Sequence, residues 1–326
     1  MAKQEFSLPA LMNRIESDAD AYQLLESLRW EHGVVCPHCG SIAAHYFLRP
    51  REDGKTRATR TGSRSQRRVW KCRDCRKQFS VLTGTIFHGT KISIRTWVFV
   101  IFEMCSSKNG VAAREIERKY DLTAKSAWFM VHRIREAMKQ EPLAGLLAGT
   151  FVADETWIGG KPGNRHGSGY GKHLTKGATE KQPVFSLVHK ESGRVRSTVV
   201  PNVTGDTLRP LLREGVDTAN SVLHTDSARV YPPLGREFAD HQSVNHFASE
   251  YVRGNVSTNQ AENYFSQLKR SLDGTHHHVS VEHLHRYLAE FDFRYNTRKL
   301  SDSTRMRLVM TTTARRLTYK PLTSAD

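Results

Sequence analysis

No stretch of about 18 consecutive apolar residues occurs in the 326-residue chain, so the sequence offers no helix that would cross a bilayer. The opening "MAKQEFSLPALMNRIESDADAY" threads charges through a helical pattern and lacks the apolar block of a secretory leader; a cytoplasmic, nucleoid-associated protein is expected. Acidic residues are in deficit, 33 Asp plus Glu against 49 Lys plus Arg, which leaves a formal charge of +16. Such a surplus favours a polyanionic partner, nucleic acid first, over a merely well-solvated surface. Cysteine is scarce as well, five in all, which together with the missing leader argues against a disulfide scaffold. Hydrophobic residues are not scarce. At 38% they suffice for the cores of two or three domains and exclude a disordered chain.

Four of the cysteines stand in two C-x-x-C pairs, "CPHCG" (Cys36, Cys39) and "CRDC" (Cys72, Cys75). Each pair can turn two thiolates toward one ion, the pattern of a closed, structural Zn²⁺ site; a redox C-x-x-C would need neither the second pair nor this setting. Cys105, inside "WVFVIFEMCSS", reads as a packing residue. Between the pairs, "HYFLRPREDGKTRATRTGSRSQRRVWKC" is crowded with cations and poor in aliphatics. A ribbon hairpin with a long tip is expected, packed by Tyr46, Phe47 and Trp70. Arg49, Arg51, Lys55, Arg57, Arg60, Arg64, Arg67, Arg68 and Lys71 would meet DNA phosphates without reading sequence.

From Ser93 onward the apolar spacing predicts three helices, "SIRTWVFVIFEMCSS", "GVAAREIERKYDL" and "TAKSAWFMVHRIREAMKQ", with Thr123 capping the third. The pair resembles a helix-turn-helix with Ala113, Ile116 and Val131 inward and Lys125 and Arg133 available to DNA; an ordinary helical bundle is the alternative. Past Pro142 the pattern turns strand-like. In "GTFVADETWIGGK" strict alternation puts Asp154 on a face with Val152 and Ile158 and Glu155 on the opposite one. A hairpin ("PVFSLVHKESGRVRSTVVP"), a helix ("TGDTLRPLLREGV"), a strand ending in Asp226 ("SVLHTDSARVY") and a helix bearing Glu262 ("TNQAENYFSQLKR") follow.

This order is that of an RNase H-like α/β fold, a mixed sheet flanked by helices, in which the strands carrying Asp154 and Asp226 lie side by side. Each acid has an ordinary explanation alone: a satisfied core Asp, a turn residue, a first-turn Glu favoured by the helix dipole. Together they suggest a three-carboxylate cage for Mg²⁺ or Mn²⁺. Lys269, two turns or roughly 10 Å beyond Glu262, would touch phosphate. The expected division is a helical segment 1–30, a zinc ribbon with basic insert 31–92, a helix-turn-helix-like segment 93–142, an RNase H-like domain 148–300 and a tail 301–326. "SVEHLHRYLAEFDFRYNTRK" should pack on that domain through Val281, Leu284, Leu288 and Phe291, and the histidines of "THHHVSVEHLHRYL" should serve as polar contacts.

These motifs, in this order from about Leu24 to Arg298, resemble the insertion-sequence transposases of the family numbered fifteen-ninety-five. The segments that carry the resemblance are "CPHCG" with "CRDCRKQFSVLTGTIFHGTK", "VADETWIGGK", "LHTDSARVY", "VSTNQAENYFSQLKRSLDGTHHHVS" and "HLHRYLAEFDFRYNTRK". The resemblance implies a catalytic signature of two Asp, a Glu or Asn, and a Lys. On this chain it falls on Asp154, Asp226 and Lys269, with Glu262 favoured as the third member because a carboxylate holds a divalent ion better; Asn259 and Asn263 are the alternatives. It further implies cleavage at terminal inverted repeats and transfer of 3′-hydroxyls to target double-stranded DNA, by a homodimer or larger assembly. A regulator with an inactive catalytic domain and a purely hydrolytic nuclease are the rival readings.

Overall fold

The computed structural model describes residues 7–42, 45–48, 68–139, 148–159, 181–312, 317–319 and 322. The chain divides into two compact units, Met1–Met138 with Lys299–Asp326, and Lys139–Arg298. Among the described residues no helix is long and apolar enough to cross a membrane.

The first unit is built on α3 (Ile94–Ser106), nine of whose thirteen residues are apolar and buried, including an unbroken run from Trp97 to Phe102. A helix apolar all round must be covered all round. α1 (Leu8–Arg14) and α2 (Asp18–Arg29) pack nearby, and Asp18 accepts from the Ser93 hydroxyl at 2.6 Å and the Arg95 amide at 2.9 Å, fixing the entry to α3. α4 (Ala113–Lys119) and α5 (Ala124–Ala137) follow; Ile116 and Val131 are buried as the spacing predicts. Within the expected tail, 301–326, the described residues 302–311 form a packed helix. α10 (Asp302–Thr311) buries Met306, Val309 and Met310, and Arg305 donates to the Cys105 carbonyl at 3.0 Å.

In the ribbon, β1 (His45–Phe47), β2 (Trp70–Cys72) and β3 (Gln78–Phe79) form an antiparallel sheet in that order. Trp70 packs edge-on against Phe47 and Trp30, as expected of its aromatics, whereas Tyr46 is exposed. Glu26 of α2 fastens the ribbon by accepting from Arg68 at 2.7 Å and the Trp70 indole at 3.0 Å.

The second unit is a five-stranded sheet in the order β6-β5-β4-β7-β8: β4 (Thr150–Ile158), β5 (Gln182–His189), β6 (Arg194–Val199), β7 (Val222–Asp226) and β8 (Asp240–Val244). The first three form an antiparallel meander, whose β5–β6 turn places Gly193 at φ +64°, where a side chain is disfavoured. β7 and β8 then add in parallel to β4. Alternation along β4 separates two cores. Phe151 and Ala153 face Leu208 and Leu212 of α6 (Gly205–Gly215) and Tyr231 of α7 (Tyr231–Gly235). Val152 faces Ala261, Tyr264, Phe265 and Leu268 of α8 (Asn259–Ser271), beside Leu284, Leu288 and Phe291 of α9 (Val281–Asn296). Val281, expected in that core, is exposed, because it opens α9 before the helix reaches the sheet. A short hairpin, β9 (Val252–Arg253) with β10 (Val256–Ser257), leads into α8. Tyr264 holds α8 in place: its hydroxyl donates to Asp292 of α9 at 2.6 Å and accepts from Ser197 of β6 at 2.8 Å.

Candidate active site

Parallel pairing of Val152 with His224 carries the register two residues further to Asp154 beside Asp226. Side chains of like parity share a face, so both acids stand on the α8 side of the sheet, at the carboxyl end of the parallel pair. Asp154 Oδ1 accepts from the Glu155 amide at 2.8 Å, and Asp226 Oδ1 accepts from the Ala228 amide at 2.9 Å as β7 ends. Glu262 lies in the first turn of α8, the helix packed across this face. Asp226 and Glu262 lie near enough for their charges to act on Asp154, yet among the described residues the cysteine quartet is the one group of His, Cys, Asp or Glu whose ligand atoms all lie within 4.8 Å of one another, so the three carboxylates do not close on a single point.

Electrostatics at Asp154 register that proximity. Burial, opposed by the Glu155 amide, and then the negative charges of Glu155, Asp226 and Glu262 push its carboxyl up to about 7. Among the described residues no Lys or Arg pairs with Asp154 or Asp226. A buried carboxylate among like charges with no cation is costly, and an oxygen-only donor set of this kind fits a hard divalent ion such as Mg²⁺ or Mn²⁺. Glu155 points to the opposite core, where the Tyr231 hydroxyl donates to it; burial raises its carboxyl, against that hydrogen bond, and Asp226 adds to the rise.

The surroundings of Glu262 contain residues that the sequence pattern did not single out. Thr258 Oγ1 donates to Glu262 Oε1 at 2.9 Å, and His246 Nε2 lies 3.1 Å from Thr258 Oγ1 and 3.6 Å from Glu262 Oε1. His246 sits in the short turn after β8, and its ring leans on Tyr251 at 5.4 Å. Only "N-H-F" in an irregular segment marks it in the sequence, and no periodicity points to it. Asn259 and Asn263 are both exposed, and the Asn263 amide oxygen is taken by Gln267 at 2.5 Å. Lys269 lies on the same helix, lining a cleft with Trp157 and Lys181.

In the first unit the four cysteines close up. Their sulfur atoms all lie within 4.8 Å of one another, with Cys36 to Cys75 and Cys39 to Cys72 each at 3.7 Å. A tetrahedron with Zn–S bonds of about 2.3 Å has sulfur corners roughly 3.8 Å apart, so the quartet fits Zn²⁺. Burial disfavours the Cys36 thiolate, yet the His38 and Cys39 amides and neighbouring thiols bring it down to about 7. Although the Ser41 amide favours ionisation, burial and the other sulfurs hold Cys39 up to about 12. Four thiolates this close call for a cation.

Of the cations expected to meet DNA, Arg49, Arg51, Lys55, Arg57, Arg60, Arg64 and Arg67 lie outside the described residues. Arg68 is paired with Glu26 and lies over the Phe47 ring, and Lys71 is half-buried on β2. Lys125 is exposed at the start of α5, its ammonium 4.3 Å from the Tyr319 ring centroid. Arg133 corrects the expectation: it is 3% exposed, donates to the His88 carbonyl at 2.9 Å and lies over the Trp97 and Phe129 rings. The second half of α5 is covered on all sides, so in this unit it is a core helix.

Residues 146–296 match the family described as the ISXO2-like transposase domain, and residues 16–78 match the transposase zinc-ribbon domain. The chain belongs to this transposase family. It is 28% identical over 286 residues, 85% of its own length and 90% of the relative's, to an uncharacterized protein in transposable element ISH50 of Halobacterium salinarum. An uncharacterized transposase-like protein of Haemophilus influenzae is 31% identical over 107 residues, 33% of this chain and 85% of that one. A solved simian T-cell lymphotropic virus intasome in complex with PP2A regulatory subunit B56 gamma aligns with 52% of this chain and 61% of its own at 14% identity, with a TM-score of 0.27, too loose to carry weight. The transposase thus joins a zinc ribbon to a mixed sheet flanked by helices.

Proposed function

We propose that this transposase cleaves DNA at the terminal inverted repeats of its element and transfers the 3′-hydroxyl ends to target DNA. The observation that supports the reading is the side-by-side placement of β4 and β7, which puts Asp154 and Asp226 on the face covered by α8, where their charges and that of Glu262 act on Asp154 with no described Lys or Arg to balance the two aspartates. Asp154, Asp226 and Glu262 would hold Mg²⁺ or Mn²⁺, which when bound supplies Lewis-acid activation of the attacking oxygen and stabilisation of the leaving one. The three side chains come from two strands and from α8, which Tyr264 ties to α9 and β6, so the ion would draw together carboxylates carried on regular elements. Thr258 keeps Glu262 in one orientation. Lys269, roughly 10 Å along α8 from Glu262, contacts a phosphate of the bound strand and sets its register. Water is the nucleophile in cleavage and the 3′-hydroxyl in joining, so no Tyr or Ser ester to the protein is required.

The ribbon and its basic insert supply DNA affinity through phosphate contacts, with Zn²⁺ on the cysteine quartet holding the ribbon's shape. Concerted joining of two ends requires at least two copies on DNA, and the protein acts at the nucleoid. The test is strand cleavage of a donor plasmid carrying the element's ends. Activity should require Mg²⁺ or Mn²⁺ and vanish in Asp154→Ala, Asp226→Ala and Glu262→Gln, while Asn259→Ala and Asn263→Ala retain it. Metal-independent cleavage, or activity that survives loss of either aspartate, would sink the proposal. Precut 3′-hydroxyl ends should be joined to target; hydrolysis without joining would leave a nuclease instead.

A further inference from the structure

The face of the sheet beneath α8 is lined largely with valine: Val152 on β4, Val184 and Val188 on β5, Val195 and Val199 on β6. A polar row runs through the middle of it. Strand pairing sets Asp154 opposite Ser186 and Ser186 opposite Ser197, neighbours on three adjacent strands. Hydroxyls in an apolar face cost stability unless they are hydrogen-bonded, so the direction in which each donates matters.

The row leads away from Asp154: from Ser186 Oγ to Ser197 Oγ at 2.8 Å, on to the Tyr264 hydroxyl at 2.8 Å, and so to Asp292 of α9 at 2.6 Å. Asp292 also accepts from the Ser197 amide at 2.7 Å, and the proposed chemistry gives it no part. Burial raises its carboxyl to about 6, against the hydrogen bonds from Tyr264 and Ser197 and the charge of Arg196, so at neutral pH it is ionised and can only accept. Each hydroxyl has one hydrogen. Tyr264 must therefore donate to Asp292, Ser197 to Tyr264, and Ser186 to Ser197. Such a chain is polarised in one direction along its whole length. At its far end Ser186, wholly buried beside Asp154, keeps only lone pairs for that side. In agreement, Asp154 accepts from the Glu155 amide and, among the described residues, from no hydroxyl.

Residues directly opposite in an antiparallel pair have β-carbons about 5 Å apart, so a Ser186 hydrogen released from Ser197 would find the Asp154 carboxylate. A hydrogen bond there would occupy an oxygen that a divalent ion needs. Resting on the proposed function, we infer that Asp292 is a positioning residue for the metal site: it fixes the direction of the hydroxyl chain, holds the Ser186 hydrogen away from Asp154, and so keeps that carboxylate open to the ion. It acts only through Tyr264, Ser197 and Ser186.

The test is isothermal titration of the full-length, zinc-loaded protein with Mn²⁺. In Asp292→Asn the new side-chain oxygen must take the Ser197 amide, which can only donate, and the NH₂ group then faces Tyr264. That reverses the chain and delivers a hydrogen from Ser186 to Asp154. Mn²⁺ affinity should fall about tenfold, at the lower end of the range for groups that stand behind a metal's ligands. Ser197→Ala reaches the same end without altering Asp292, by removing the acceptor of the Ser186 hydrogen, and it carries the test should Asp292→Asn not fold. Adding Ser186→Ala to either variant should restore most of the lost affinity, since no hydrogen is left to reach Asp154. A merely structural role predicts the opposite, a double variant worse than either single one. Affinity unchanged in both Asp292→Asn and Ser197→Ala, or no recovery on adding Ser186→Ala, overturns the inference. Asp154→Ala separates it from the reading on which it rests. Mn²⁺ binding that survives this variant rejects the metal site and the inference with it, whereas binding lost there but undiminished in Asp292→Asn and Ser197→Ala rejects the inference alone.

Discussion

Replacing Asp154 by Asn should make the protein more stable in the absence of divalent ions while abolishing its activity. The folded carboxyl is pushed from 3.8 to about 7, chiefly by burial and then by Glu155, Asp226 and Glu262. At about 1.36 kcal/mol per pH unit, about three units set an upper limit near 4 kcal/mol. Asp154 is not wholly sealed from water and its neighbours share the repulsion, so about 2 kcal/mol is the working figure. Below about pH 4 both folded and unfolded chains keep the proton, and the contribution is nil. Between 4 and 7 the unfolded chain ionises while the folded one holds its proton, so wild-type stability falls as pH rises; above 7 the penalty is fully present. The gap between Asp154→Asn and wild type should therefore open across this window. Urea unfolding at pH 4.5 and pH 8 measures it, with the transition of residues 139–298 assigned by hydrogen exchange and without chelators, which would strip the ribbon. A difference of about 2 kcal/mol corresponds to about 4–8 °C in Tm for a unit of this size. Millimolar Mg²⁺ should then stabilise wild type and not the variant. A gap that is the same at both pH values would refute the reasoning, since any packing cost of the amide is independent of pH.

Chelating zinc should unfold the ribbon while leaving the 139–298 unit folded, because the core around Cys36, Cys72 and Phe79 is small and is built on the quartet; circular dichroism and limited proteolysis would report it. His246→Ala should weaken divalent binding by about 10- to 100-fold through a Glu262 left less constrained, with His246→Gln recovering part of it; isothermal titration with Mn²⁺ measures this. Neutralising four of the cations between Arg49 and Lys71 should reduce the salt slope of DNA binding by roughly 0.9 for each phosphate that no longer meets a cation, whatever the DNA sequence. An unchanged slope would remove the insert from the interface. Arg133→Gln should lower thermal stability and leave that slope as it was, since the guanidinium is enclosed by Trp97 and Phe129.

How much of this could be read in advance depended on whether a residue's role follows from spacing or from what the chain folds against. The ribbon's cysteines and the strand alternation around Asp154 are local patterns, and period-two pleating alone sends Val152 and Asp154 to one face and Glu155 to the other. The sheet order follows from connection lengths, since the short turn at Gly193 allows only an antiparallel neighbour, whereas the α6 crossover permits β7 to return in parallel beside β4. Arg133 and residues 302–311 show where that reasoning fails. A cation on a helix is ordinarily solvated, but α5 is enclosed for half its length, and the aromatic walls of Trp97 and Phe129 make a guanidinium an acceptable core group. No helical period predicts that, because the covering residues come from α3 and from elsewhere in the chain. His246 fails for a second reason: it lies in an irregular turn whose position is fixed only when β8 joins the sheet edge and the β9–β10 hairpin delivers α8. The residues around Glu262 are therefore set by tertiary structure, while Asp154, Asp226 and Glu262 themselves lie on regular elements, whose rigid backbone suits the metal-holding role proposed for them.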